Sequence, residues 1–198
     1  NLSGRTQDHI DQYGENIADR PLTIRDGSKV MLKSTEGSVT VLDPAGDGAV
    51  ADILLKGTAA EQARLQLIAD NTLSTGYIDA QNADLYLRTT GTQTDKKADD
   101  ILVNKILGKD VNVEMDSAGN IDALADEAHL LMKLEGDVSL RLAAELDIGN
   151  PNHFALIDVP CTVVVDRVTD LYADLNLRDA EGNQIIPEEL LSYPIVSN

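Results

Sequence analysis

Tryptophan is absent from this chain, and phenylalanine and cysteine occur once each. With aromatics at 3% of residues, the core has to be built from Leu, Ile, Val and Ala. The same shortage argues against aromatic platforms for stacking single-stranded nucleic acid or for a sugar-binding face. A lone Cys161 has no partner for an intramolecular disulfide, so a disulfide-stapled scaffold is excluded. It sits in Cys161-Thr-Val-Val-Val165, which reads as a strand holding a small, inert core thiol. Long apolar runs are missing too. The longest uninterrupted stretches are three or four residues, far short of a membrane span. Positive charge is scarce, at 16 Lys and Arg against 34 Asp and Glu, a formal net charge of −18. Such a field repels phosphate backbones, and no basic stripe overrides it locally, so direct nucleic-acid binding is not expected.

What is there is acid of one kind, 24 Asp against 10 Glu. Asp favours turns, caps and cation sites, whereas Glu favours helices. Three readings account for the excess: many turns on a solvated surface, a hydrated acidic shell suited to high salt (a halophilic composition), or divalent-cation binding. Apolar residues at 42% place the chain among globular proteins, long enough for one core or two small ones. The chain starts at Asn1 without Met, which reads as a processed or trimmed product.

The first twenty residues are polar, with Ile10, Tyr13 and Ile17 at helical spacing, and read as an N-terminal arm or short helix closed by Pro21. Beyond it, a turn pattern recurs. Asp43-Pro-Ala-Gly-Asp47, Asp116-Ser-Ala-Gly-Asn120 and Asp179-Ala-Glu-Gly-Asn183 share Asp-x-x-Gly-[Asp/Asn], and Ser34-Thr-Glu-Gly-Ser38 is close to it. Asp at the first position bonds its own backbone two residues on, and Gly at the fourth supplies positive φ, as in bulged hairpins. Between the turns, residues 128–134, 138–148 and 171–177 alternate apolar and polar, the period of strands with one buried and one wet face. Hairpin turns plus one-sided alternation predict a mainly β protein: an antiparallel β-sandwich, jelly-roll-like or Ig-like, over residues 21–198. One or two short helices are expected as well. Thr58-Ala-Ala-Glu61 matches a capping box opening a helix to about Asp70, and residues 95–107 followed by Gly108 form a second candidate, with a strand at 101–103 as its rival. The polar stretch near 89–96 marks a subdomain boundary if there are two units. No repeat of solenoid length is evident. Leu146-Asp-Ile-Gly-Asn-Pro-Asn152 resembles the Asn-Pro-Asn strand end of late-embryogenesis-abundant type β-sandwich domains, over about a dozen residues, which implies the same sandwich class.

The chemistry-bearing signatures are not found. His9, His129 and His153 lie in no His-Glu-x-x-His arrangement, and His129 falls on the polar face of a strand, where a solvated histidine is expected. Gly-x-Ser-x-Gly, Gly-x-Gly-x-x-Gly and Gly-Lys-Ser/Thr do not occur. Calcium is the ligand that the acids fit best, because it takes six to eight oxygens on a bent loop. Asp116, Asn120 and Asp122 offer one such set, with Asp43, Asp47 and Asp52 as another, against the plainer reading that these are turns stabilised by their own side chains.

No catalytic residues are assigned. The expected function is a non-enzymatic structural subunit that self-assembles with its own copies or other structural subunits. A virion capsid or decoration protein, or an extracellular filament subunit, would be of this kind, placed outside the cell or on a virion surface. Two alternatives come from other classes: a calcium-dependent cell-surface adhesion module, and a hydrolase working through carboxylates.

Overall fold

The structure is a computed structural model that describes residues 21–42, 51–91, 99–124, 128–161, 163–179 and 181–185. Its logic is clearest in the strand Leu73–Thr89, where the inward residues are Leu73 and Thr75, then Ile78 and Ala80, then Ala83, Leu85 and Leu87. A straight strand alternates with period two. Here the phase slips by one residue at Gly76-Tyr77 and again at Gln81-Asn82, so each slip is a corner. The strand Ile101–Ser117 repeats the pattern, with slips at Asn104-Lys105 and Lys109-Asp110. Both segments therefore run along three successive faces of a coil.

The remaining strands fill in this coil. The first turn holds β1 (Leu22–Arg25), β2 (Lys29–Lys33) and β3 (Val39–Val41), one on each face. After it come β4 (Ile53–Lys56), β5 (Ala63–Ala69) and the two long strands, β6 (Leu73–Thr89) and β7 (Ile101–Ser117). The later turns comprise β8 (Ile121–Asp122), β9 (Leu131–Glu135), β10 (Ser139–Ala144), β11 (Ala155–Val159), β12 (Val163–Asp166) and β13 (Ala173–Leu177). On the first face β1, β4, β6, β7, β9, β11 and β13 lie side by side in that order. The second face stacks β2, β5, β6, β7, β10 and β12. The third stacks β3, β6, β7 and β8, continued by single bridges at Ile148 and Leu171. Inside, residues in register form aliphatic columns: Ile53, Ile78, Ile106, Met132, Ile157 on one face and Leu73, Ile101, Ile121, Ile148, Leu171 on another, all essentially solvent-free. Each such side chain contributes roughly 1.5–3 kcal/mol by leaving water.

This corrects the predicted class. The described strands form one thirteen-stranded sheet, and every strand pair in it is parallel, so the architecture is a parallel coil and not an antiparallel sandwich. Alternation reports that one side of a strand is buried, and it is silent on the direction of the neighbour. The Asp-x-x-Gly turns are silent in the same way. Asp116–Asn120 and Ser34–Ser38 bend the chain from the second face to the third, whereas Asp179–Asn183 does close an antiparallel bridge, Arg178 to Gln184. The resemblance at Leu146–Asn152 also loses its implication. Asn150-Pro-Asn-His153 is a local turn whose Asn150 Oδ1 accepts from the amides of Asn152 and His153, at 3.0 and 2.9 Å.

Neither expected helix is present among the described residues. The capping-box contact does form, with the Glu61 amide donating to Thr58 Oγ1 at 3.1 Å, but it closes a tight turn into β5. Period-two burial of Ala63, Leu65, Leu67 and Ala69 prevails over the cap. The second candidate lies in β7 from Ile101 onward, and its residues 95–98, the N-terminal arm (1–20), the turn Asp43–Asp47 and the chain end after 185 lie outside the described residues. Around the proposed boundary at 89–96, β6 and β7 pair with each other along most of their length. No helix of the described residues is long and apolar enough to cross a membrane.

The corner between the first and second faces sets the tightest limit on sequence. Asn82 and Asp110 take positive φ there, at 45° and 56°, as does Gly136 at 80°. Beside Asn82, a Cβ on Gly57 would press on the Asn82 carbonyl of the next turn and stand 2.5 Å from the Ala63 nitrogen and 2.9 Å from Gln62 Cα where its own turn enters β5. Gly182 has φ of 85° with open space around it. Gly182→Ala should therefore cost only the conformational penalty, about 1 kcal/mol. Gly57→Ala, which must push two turns apart, should cost more than about 2 kcal/mol. Paired denaturant titrations check this, and equal costs would refute the close approach.

Candidate functional site

The second face carries a concave surface outside the core. On its outer side lies an open depression of about 530 Å³, bordered by Arg64, Asp84, Tyr86, Asn112, Glu114 and Arg141, among others. Strand register puts these residues in neighbouring positions. Arg64, Asp84, Asn112 and Ser139 stand one above the next in successive turns, as do Gln66, Tyr86, Glu114 and Arg141.

Stacking at one strand spacing brings like positions within bonding reach, and their chemistry alternates accordingly. Arg64 Nε donates to Asp84 Oδ2 at 3.0 Å, Asn112 Nδ2 donates to Asp84 Oδ1 at 2.8 Å, and Ser139 Oγ donates to Asn112 Oδ1 at 2.8 Å. Burial would raise the Asp84 carboxyl, but the bonds from Asn112 and Arg64 outweigh it and hold the group below its ordinary range. Asp84 is thus a fixed anionic acceptor at neutral pH. Arg141 bridges Glu114 at 2.6 Å and Asp166 at 2.8 Å. Further along, Arg167 joins Asp116 to Glu145, and Arg88 reaches Asp116 at 3.5 Å. Exposed pairs of this kind add roughly 0–1 kcal/mol each, so their larger effect is to fix the pattern of charge on the face.

A second polar line runs along the corner between the second and third faces. The Asn120 amide and Nδ2 both donate to Asp100 Oδ1, at 2.6 and 3.0 Å. The Asp147 amide donates to Asn120 Oδ1, and the Asp170 amide to Asp147 Oδ1, each at 3.1 Å. Each side chain caps the backbone of the turn above it. Burial, and after it the charges of Asp122 and Asp99, raise the Asp100 carboxyl above the ordinary range despite the bonds from Asn120. Burial likewise raises Asp147, with the Asp170 carboxylate adding to the shift and the Asp170 amide opposing it.

The three residues predicted for calcium do not share a task. Asp116 faces outward on the second face against Arg88 and Arg167, Asn120 sits in the corner line, and Asp122 accepts from Asn150 Nδ2 at 2.9 Å. Of the other set, Asp52 accepts the Tyr77 amide at 2.5 Å, and Asp43 and Asp47 lie outside the described residues. Among the described residues no group of three or more His, Cys, Asp or Glu is arranged to hold a metal ion. His129 is exposed, as expected of its position. His129 also meets His153 edge-to-face at 5.5 Å, a contact between successive turns that sequence reading did not anticipate. Cys161 is half-buried against the core, and burial raises its thiol pKa.

Sequence reading missed Arg64, Asp84, Asn112, Ser139 and Arg141 because none belongs to a linear motif. The signal that finds them is a recurrence of inward positions at uneven intervals of 18–28 residues from β4 onward.

The corner line makes a prediction with a definite sign. A carboxyl whose folded pKa is raised binds its proton more tightly in the folded state, so its ionisation opposes folding as pH rises through that pKa. Asp147→Asn keeps the acceptor for the Asp170 amide and removes the charge facing Asp170. It should stabilise the protein at pH 7 by about 0.5 kcal/mol, a degree or two in Tm, allowing for solvent screening at this partly exposed corner. The gain should shrink as pH falls through the raised Asp147 pKa and vanish near the unfolded value of about 4. Thermal melts from pH 3 to pH 8 test it. Destabilisation at pH 7 would show that the Asp147 charge is needed.

Comparison of the chain with protein-family models, with curated proteins and with solved structures gives no match in any of the three.

Proposed function

We propose that this chain is a non-enzymatic structural subunit that self-assembles, of the kind from which a virion surface or an extracellular filament is built. The observation that carries the reading is the way the polar side chains are used. On the second face and along the corner they bond to the equivalent positions of the next turn, Arg64 to Asp84 to Asn112 to Ser139 and Asp100 to Asn120 to Asp147 to Asp170. Such lines stiffen a stack and leave a patterned surface fixed in place, which favours repeated docking of identical units. In the same sense, the described strands of the first turn pair with the following turn alone, and β12 and β13 pair with the preceding one alone.

Assembly must overcome the repulsion of a formal charge of −18 on every copy. That repulsion falls off within about 3 Å at molar salt, against about 10 Å at 0.1 M. Light scattering across protein concentration, at low and at molar salt, should give a discrete multiple of 21.3 kDa or a larger ordered assembly, most readily at molar salt. A strict monomer throughout would sink the reading.

A further inference from the structure

We propose that the outer surface of the second face is a self-complementary interface, through which two copies pair about a two-fold axis lying along the strands between β6 and β7. The proposal rests on the self-assembly reading and names its surface and its partner, a second copy of this chain.

The outward residues of this face, taken in register, are matched end to end. The central column runs Met31, Gln66, Tyr86, Glu114, Arg141, Val164 from the first turn to the last. A two-fold along the strands reverses the order of turns and keeps each column opposite itself. Met31 of one copy then meets Val164 of the other, Gln66 meets Arg141, and Tyr86 meets Glu114. Each pair is chemically matched: apolar with apolar, amide with guanidinium, phenol with carboxylate. Met31 and Val164 are also the large apolar side chains left most exposed among the described residues, at 59% and 52%. Single exposed apolar residues are ordinary. These two stand at opposite ends of one column, where the reversal makes them partners.

The flanking charges follow the same rule. In the column through Lys33, Arg88, Asp116 and Asp166, reversal sets Lys33 against Asp166 and Arg88 against Asp116. More broadly, the outward charges of β2, β5 and β6 are Lys29, Lys33, Arg64 and Arg88 with one acid, Asp84. On this face, those of β7, β10 and β12 are Glu114, Asp116 and Asp166 with Arg141, and Glu145 and Arg167 stand beside them as a pair. The face is therefore basic at one end and acidic at the other, on a chain that is acidic overall. Antiparallel pairing superposes unlike ends. The other two-fold, along the stack, would set Glu114 on Glu114 and Arg141 on Arg141, and is disfavoured by like-charge contact.

Six strands at about 4.8 Å spacing and about seven residues at 3.3 Å rise give roughly 650 Å² per copy. The total of about 1,300 Å² reaches the lower end of specific interfaces. An isologous contact of this size closes on itself and stops at the dimer.

Cysteine cross-linking tests the geometry. Within one chain, positions 31 and 164 are separated by five strand steps, about 24 Å, whereas facing positions of two packed sheets stand about 10 Å apart. In a Cys161→Ser background, a bifunctional thiol cross-linker spanning roughly 10 Å should join M31C/V164C into a covalent dimer with no higher species, and M31C alone should stay monomeric. Self-linking by M31C alone, or a ladder of higher species, would overturn the two-fold. Light scattering of the unmodified chain separates the remaining outcomes. Assembly without a 31–164 cross-link overturns this interface and leaves the self-assembly reading standing, and a strict monomer overturns both. As an independent check, M31D should weaken dimerisation at least tenfold, and M31D/V164K should recover it by placing opposite charges across the axis. M31D without effect on dimerisation would overturn the interface.

Discussion

Every turn of this chain has to come back to the face it left one strand spacing further on, and the rest of the structure depends on that return. The return is made at corners, where two consecutive residues face outward and the inward phase slips by one. Asn82, Asp110 and Gly136 make the corner between the first and second faces with positive φ, which Gly adopts freely and Asn and Asp tolerate better than other side chains. Because the return path is the coil itself, the parallel strands need no covering helices. One side of each strand stays wet, which is uncommon for parallel sheets. The alternating pattern of an antiparallel protein therefore appears on a parallel one.

The same constraint accounts for the composition. Three faces of one sheet enclosing a narrow interior leave room for aliphatic columns, and the only phenylalanine, Phe154, lies at a corner against Tyr172 at 6.3 Å. The excess of Asp over Glu has its place there as well. A short carboxylate or amide at a corner reaches the backbone of the next turn, as Asp100, Asn120 and Asp147 do. A longer side chain would overshoot the amide one strand spacing away. The cost is the burial of these acids, to which repulsion adds, from Asp122 and Asp99 at Asp100 and from Asp170 at Asp147, so that both carboxyls are raised. Asn120, between two of the acids, donates to the one below and accepts from the turn above, and so relieves part of that repulsion.

Strand content, an aliphatic core and an exposed His129 were legible in the sequence, because each is set by neighbours in the chain. Direction and architecture were not. The alternation of residues 138–144 looks the same whether the neighbouring strand runs parallel or antiparallel, and the partner of Leu140 is Val113, 27 positions earlier. The repeat was hidden for a physical reason. Inward positions accept any aliphatic residue, so Ile78, Ile106 and Met132 hold equivalent places without sharing a letter pattern. Turn lengths also vary at the corners, which blurs any fixed period. The helix expected after Thr58 shows local and long-range forces in contest. Its cap forms, worth about 1 kcal/mol, but burying Leu65 and Leu67 in the stack is worth several times more.

The placement of polar residues on the outer surface follows from the stack but is not dictated by it. Register requires only that vertical neighbours tolerate one another, and Arg64 above Asp84 or Arg141 between Glu114 and Asp166 satisfies that locally. Local satisfaction would be met equally by cations and anions scattered evenly along the face. Instead, apart from Arg141 and Arg167, the cations of this face gather on β2, β5 and β6, and apart from Asp84 its anions gather on and beside β7, β10 and β12. Separating charge along a face has an electrostatic cost within the monomer, since like charges are kept nearer than an even mixture would keep them. A reversed second copy offsets that cost by laying each end on its opposite. What favours a two-fold partner is therefore the long-range order of the charges, which outlasts any single pair and acts together with Met31 and Val164, the large apolar side chains most exposed among the described residues, at the two ends of the central column.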